Sequence, residues 1–212
     1  MRLAIIGAAE LGGLIAHHAE EDQGWEVVGY YDDFSKASEF LERPVLGNTE
    51  QLLGHFKEGR FDALMIGIGY NHMTARASLF DRFKNQIPFA RLVHSSAYVD
   101  PSCTVGEGVF LFPRVVVDMH CVIEDNVLIN TGGIVAHHTI VGAHSFLAPG
   151  VHIAGRIAIG PRCFLGIGCT IADLIHVGEN AFIGAGSVVI SDVPANTLSV
   201  GVPARVIKDR NA

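Results

Sequence analysis

From Val99 to Ile183 an aliphatic residue returns at every sixth position, fifteen times in succession and without an insertion. The position after it is commonly glycine or alanine, as at Gly106, Ala136, Gly142, Gly160 and Gly166. Four residues after it comes a second small or apolar side chain, as at Val109, Val115, Thr139, Ser145 and Ala181. One large and one small inward residue in every six describe a short strand followed by a corner. Three such units close a triangular coil of 18 residues, and fifteen units make five coils. Residues 18 apart then stack at the spacing of neighbouring strands, about 4.8 Å. The pattern predicts a parallel β-helix over residues 94–212, including a C-terminal tail.

The first 93 residues follow another rhythm. Apolar runs at 3–6, 25–31, 63–68 and 90–93 read as strands. Amphipathic stretches at 11–20, about 49–57 and about 74–85 read as helices. Strands alternating with helices predict a parallel α/β sheet in a Rossmann-like domain spanning 1–93. Between the first strand and first helix, Gly7-Ala8-Ala9-Glu10-Leu11-Gly12 stands where a phosphate-cradling turn belongs. It departs from a GxGxxG fingerprint because Ala9 replaces the middle glycine, and Glu10 would repel a phosphate close by. Asp32 and Asp33 end the second strand, where a carboxylate can bind a ribose or a base or can simply sit in a solvated turn.

Composition narrows the class. Hydrophobic residues make up 49% and charged residues 17%, which excludes a disordered chain. The formal charge of −7 comes without a Lys/Arg cluster, so a nucleic-acid binder is excluded. The opening apolar stretch is broken by Gly7 and Glu10, and no run reaches the roughly 18 residues of a membrane span. A soluble, cytoplasmic protein is expected. Cys103, Cys121, Cys163 and Cys169 form no CxxC pair and all occupy the small inward slot of the repeat. They are expected to fill the core rather than to bind metal or catalyse.

Several segments taken in order resemble the PglD/NeuD-like sugar acyltransferases: IIGAAELG, YYDD at 30–33, IGIGYN at 66–71, LVHSSAYV at 92–99, INTGGIVAHHTIVG at 129–142, APGVHIAGRIAIG at 148–160, and the ending VPANTLSVGVPARVI. The likeness covers nearly the whole chain. It implies a left-handed β-helix, acetyl-CoA as cosubstrate, a nucleotide-linked amino sugar or sialic acid as acceptor, and a homotrimer. It implies His137 as general base, followed here by His138 where the family has Asp or Glu. It places Phe146, Gly155 and Ala185 beside acetyl-CoA, with Phe146 standing where relatives carry a histidine. It assigns Gly7, Gly12, Asp32, Asp33 and Asn130 to the substrate, and it implies no metal.

The residue types suit acetyl transfer. His137 falls in the third position of its hexapeptide, at a corner, and Gly155 lies one coil on. A base and a bare peptide N–H on one edge could deprotonate the acceptor and stabilise the oxyanion. Imidazole, with an ordinary pKa of about 6.5, works near neutral pH. Three other readings stand beside amine acetylation. One is O-acetylation of sialic acid or a related sugar. Another is a γ-carbonic-anhydrase-like zinc site built from His120, His137, His138 and His144. The last is a non-catalytic binding module.

Overall fold

The computed structural model describes residues 1–210, which divide into two compact units, 1–92 and the chain from 93 onward.

In the first unit β1 (Arg2–Ile6), β2 (Glu26–Tyr31), β4 (Arg43–Gly47) and β5 (Ala63–Ile66) form a parallel sheet in the order β4-β2-β1-β5, with β3 (Glu39–Phe40) paired antiparallel to β4 at the edge. Helices α1 (Glu10–Glu21), α2 (Leu52–Lys57) and α3 (Met73–Phe83) make the crossovers. The run 3–6 is buried throughout because a parallel strand is covered on both faces. Ala4, Ile6, Tyr31, Leu64, Phe80 and Phe89 share one core cluster. Sequence pattern missed β3 and β4. Their tight turn places Leu41 and Glu42 at φ +46° and +62°, conformations usually announced by Asn-Gly or Asp-Gly.

The second unit is a parallel β-helix. Two-residue strands fall into three sheets: a six-stranded one beginning at Tyr98–Val99, a five-stranded one beginning at Thr104–Val105, and an eight-stranded one running from Leu92–Val93 to Ala204–Asp209. Between Tyr98 and Val189 the register is 18, so that Val116 pairs with Ile134 and Ile134 with His152, and it shortens to 16 at the last coil, where Phe182 pairs with Leu198. From Leu111 to Ile183 every sixth-position aliphatic is at most 2% exposed. The small slot is buried behind them. There Thr139 and Ser145 donate their hydroxyls to the carbonyls of Ala154 and Gly160 at 3.2 and 3.1 Å. The same oxygens accept the N–H groups of Ile157 and Cys163, so these buried hydroxyls are satisfied on both sides. Cys121 and Cys163 point their thiols at carbonyls in the same manner. Burial pushes the thiols of Cys121 and Cys163 up to about 11 and that of Cys169 to about 12, which leaves them poor nucleophiles.

Each corner contains a residue with positive φ, at every sixth position from Gly108 to Gly186. Nine of these are not glycine, His120, His138, Arg156 and Leu174 among them. The closing hairpin, Thr197–Gly201 against Ala204–Asp209, continues the third sheet where only a tail was expected. No helix among the described residues is long and apolar enough to cross a membrane.

Candidate active site

Two places carry chemistry, one in each unit. In the first, the ends of β1, β2 and β5 open into a cavity of about 730 Å³ lined by Gly7, Asp32, Asp33, Phe34, Ile68 and His72, among others. Gly7 has φ +109° and donates its N–H to the Tyr31 carbonyl at 2.8 Å, turning the chain from β1 toward α1. Gly12 is expected to touch substrate, but it is buried under this turn and does not line the cavity. A Cβ on Gly12 would lie 2.1 Å from the Gly7 carbonyl oxygen, so it serves close packing of α1 on the turn.

Asp32 binds three backbone groups: its Oδ2 accepts from Ala8 N–H (2.9 Å), and its Oδ1 from Phe34 and Ser35 N–H (2.8 Å each). Burial opposes its charge, yet these three donors outweigh burial and hold its pKa below the ordinary carboxylate range. Asp33 accepts from Thr49 through both N–H (2.7 Å) and hydroxyl (2.9 Å). The two acids therefore fasten the three loops around the cavity. An ionised carboxylate has about four acceptor positions, so Asp33 keeps capacity for a ligand while Asp32 has little.

The second place is the corner between the Tyr98 sheet and the Thr104 sheet. His137, Gly155 and Asp173 stack there, 18 residues apart. Successive coils are tied through His138 N–H to the Met119 carbonyl, Arg156 N–H to the His137 carbonyl and Leu174 N–H to the Gly155 carbonyl. The His137 ring lies across Gly155. A Cβ on Gly155 would be 2.6 Å from His137 Cε1 and 2.8 Å from Nε2, so only glycine leaves room for this ring pose. His137 Nδ1 is 3.2 Å from His138 Nδ1, and one of these nitrogens must carry the shared proton. Desolvation first, then Arg156, His120 and His137, lower the pKa of His138 and favour its neutral form. A neutral His138 with its proton on Nε2 accepts at Nδ1. That fixes the His137 proton on Nδ1 and leaves the His137 Nε2 lone pair free to act as a base.

The Gly155 N–H was expected to be bare. It donates to Asp173 Oδ1 at 2.9 Å instead. The coil-to-coil ladder does leave this amide without a backbone partner, but the carboxylate one coil on takes it.

The other expected site residues stand elsewhere. Asn130 and Ala185 belong to the corner between the third, eight-stranded sheet and the Tyr98 sheet, where Asn130 Oδ1 accepts from Thr131 N–H at 2.7 Å. Phe146 is only 6% exposed, on the outer side of the third sheet, its ring 6.0 Å from that of Phe164. Neither that sheet nor that burial puts it beside His137 within one chain. His120 and His138 do stack, with ring centroids 5.0 Å apart. His144 lies six residues past His138, hence on the next corner, paired with Asn126 at 3.0 Å. The four-histidine zinc site is therefore not assembled, and no group of three or more potential ligands among the described residues could hold a metal. Sequence reasoning missed Asp173, which counting a second coil beyond His137 would have found, and Phe34, which directly follows the Asp pair.

An α/β domain with a cavity at its strand ends, followed by a β-helix bearing an imidazole at a coil corner, defines a two-domain hexapeptide-repeat protein. Residues 2–83 match the PglD N-terminal domain family, and the whole chain has the architecture of the PglD/NeuD-like sugar acetyltransferases. No curated protein sequence matches it. Among solved structures, it is similar to a histidine-to-asparagine variant of perosamine N-acetyltransferase from Caulobacter crescentus in complex with CoA and GDP-perosamine. There the identity is 29%, over 99% of this chain and 98% of that one, at a TM-score of 0.90. The acetyltransferase domain of PglB from Neisseria gonorrhoeae, in complex with acetyl coenzyme A, is 27% identical over 97% and 98% of the two chains, at a TM-score of 0.88. WeeI from Acinetobacter baumannii, at 22% identity over 98% of this chain and 100% of its own, shares the fold at a TM-score of 0.85.

Proposed function

We propose that this protein moves the acetyl group of acetyl-CoA onto the amine of a nucleotide-linked amino sugar, with His137 as general base. The observation that carries the reading is the His137 ring seated on Gly155 with its Nδ1 3.2 Å from His138 Nδ1; with the proton on Nδ1, Nε2 is the basic nitrogen. It is supported by likeness, over nearly the full length of both chains, to an enzyme solved with CoA and GDP-perosamine.

In this scheme the amine nitrogen attacks the thioester carbonyl carbon while Nε2 takes its proton. The tetrahedral oxyanion collapses, the C–S bond breaks, and the leaving thiolate recovers the proton from the imidazolium. The Gly155 N–H can serve the oxyanion only once Asp173 has released it. No covalent enzyme intermediate is needed. Acetyl-CoA would be held as cosubstrate along the corner of His137 and Gly155. An amine acceptor is favoured over free sialic acid because the first unit carries a cavity large enough for a nucleotide.

Two further parts belong to the reading. Tyr98, Val116 and Ile134 stack in register on the outer side of one sheet and are 53%, 36% and 40% exposed. A closed three-fold assembly would cover this stripe, which supports a homotrimer. Four free cysteines suit a reducing compartment, which supports the cytoplasm as the place of action.

The test is release of free CoA thiol with UDP-, dTDP- and GDP-linked amino sugars and with sialic acid. Wild type is expected to turn over at least one amino sugar, and His137→Ala to lose about 100-fold or more. Equal rates for both proteins would remove His137 from the mechanism. Turnover of sialic acid alone would favour O-acetylation, and failure to bind acetyl-CoA would favour a binding module.

A further inference from the structure

Phe34 combines two properties that rarely meet. Its backbone is held firmly, because its N–H and that of Ser35 both donate to Asp32 Oδ1, while Asp32 Oδ2 grips Ala8 of the glycine turn. Its side chain is 92% exposed. A single apolar residue on a surface is ordinary. This one lines the cavity at the strand ends, together with Gly7, Asp33, Ile68 and His72. A flat apolar ring carried on a fixed backbone, almost without protein cover and lining a cavity, matches what a planar aromatic ligand buries. Beside it, Asp33 keeps acceptor capacity beyond its two bonds to Thr49 and can receive the ring N–H of a base.

We infer that Phe34 is the platform on which the base of the nucleotide-linked substrate stacks. The inference rests on the nucleotide-sugar reading above and adds to it the residue that grips the base. Stacking tolerates any base because each has a π-face. Phe34 therefore supplies affinity for purine and pyrimidine nucleotides alike, and discrimination falls to Asp33 and the surrounding backbone. The ring touches no reacting atom, so its loss acts on nucleotide binding and not on acetyl-CoA.

The experiment is calorimetric titration of the full-length protein with GDP, UDP and dTDP, and with ribose 5-phosphate as a probe without a base. Wild type, Phe34→Ala and Phe34→Tyr are compared. Removing the ring is expected to weaken each base-bearing nucleotide about 10-fold or more, and tyrosine to restore most of the affinity. The base-free probe should bind both proteins equally, and the KM for acetyl-CoA should not move. Because the side chain is solvent-exposed, Phe34→Ala is expected to melt with wild type. In Phe34→Trp, the introduced indole should be quenched by each nucleotide. Unchanged nucleotide affinity in Phe34→Ala, or an equal loss for the base-free probe, would overturn the platform. Should wild type bind no nucleotide at millimolar concentration, the nucleotide-sugar reading itself fails and this inference falls with it.

Discussion

At the scale of single residues, the proposed general base His137 is followed by His138, where the family resemblance implies an acid. A carboxylate next to the base would accept its Nδ1–H and also stabilise the imidazolium formed during transfer. A neutral imidazole does only the first. In the proposed mechanism the arrangement orients His137 without placing a negative charge beside its protonated form. Substituting His138→Asp is expected to move the acid limb of the pH–rate profile upward by about one unit, since an adjacent negative charge favours the protonated ring. The plateau rate should rise with it. His138→Ala should lower kcat about 10-fold, more than it changes the KM for acetyl-CoA, if the proposed part of His138 is to orient the base. The lowered pKa of His138 keeps it neutral at pH 7. On acidification it resists protonation longer than an ordinary imidazole, and once charged it can no longer accept from Nδ1. A profile identical in all three proteins would separate His138 from the base.

Among elements, the coil corners and the β1–α1 turn decide where the chemistry sits. Corner residues need positive φ whatever their side chains, so His120, His138 and Arg156 are held in one column by a backbone requirement. The β1–α1 turn depends on close approach. A methyl at Gly12 would drive α1 off the Gly7 carbonyl, so Gly12→Ala is expected to cost about 1–3 kcal/mol in denaturant unfolding and to weaken nucleotide binding. Gly54, inside α2, has nothing within 4 Å of where a methyl would project, and Gly54→Ala should be neutral or stabilise by about 0.5–1 kcal/mol. The β-helix was legible in the sequence because each coil repeats one environment, so an aliphatic at Leu111 implies one at Ile129 and Leu147. The β3–β4 hairpin was not, because Leu41 and Glu42 occupy a left-handed turn without the residues that normally mark it.

At the scale of the whole molecule, the proposed trimer brings copies of the chain together over the Tyr98–Val116–Ile134 stripe. Sedimentation at micromolar concentration is expected to give three chains, and Ile134→Lys to shift the mass toward one chain by placing a charge in the apolar stripe. A monomeric wild type that is fully active would end that reading. The burial of Phe146 bears on the same scale, since within one chain its ring lies by that of Phe164 on the third sheet and not at the His137 corner.

Counting along the chain was enough to establish the coil register, the burial of Cys121, Cys163 and Cys169 in the small slot (Cys103, in the first coil, is only half-buried) and the meeting of His137 with Gly155. Each follows from a period of 18 imposed by strand spacing, which acts identically at every coil. Counting could not reveal that Asp173 occupies the Gly155 amide, that the Nδ1 atoms of His137 and His138 come within hydrogen-bonding distance, that Gly12 is a packing residue, or that Phe34 stands uncovered at a cavity mouth. Those outcomes depend on which side chain wins a given hydrogen bond or space among several within reach. That competition is resolved only when residues distant in sequence are packed together.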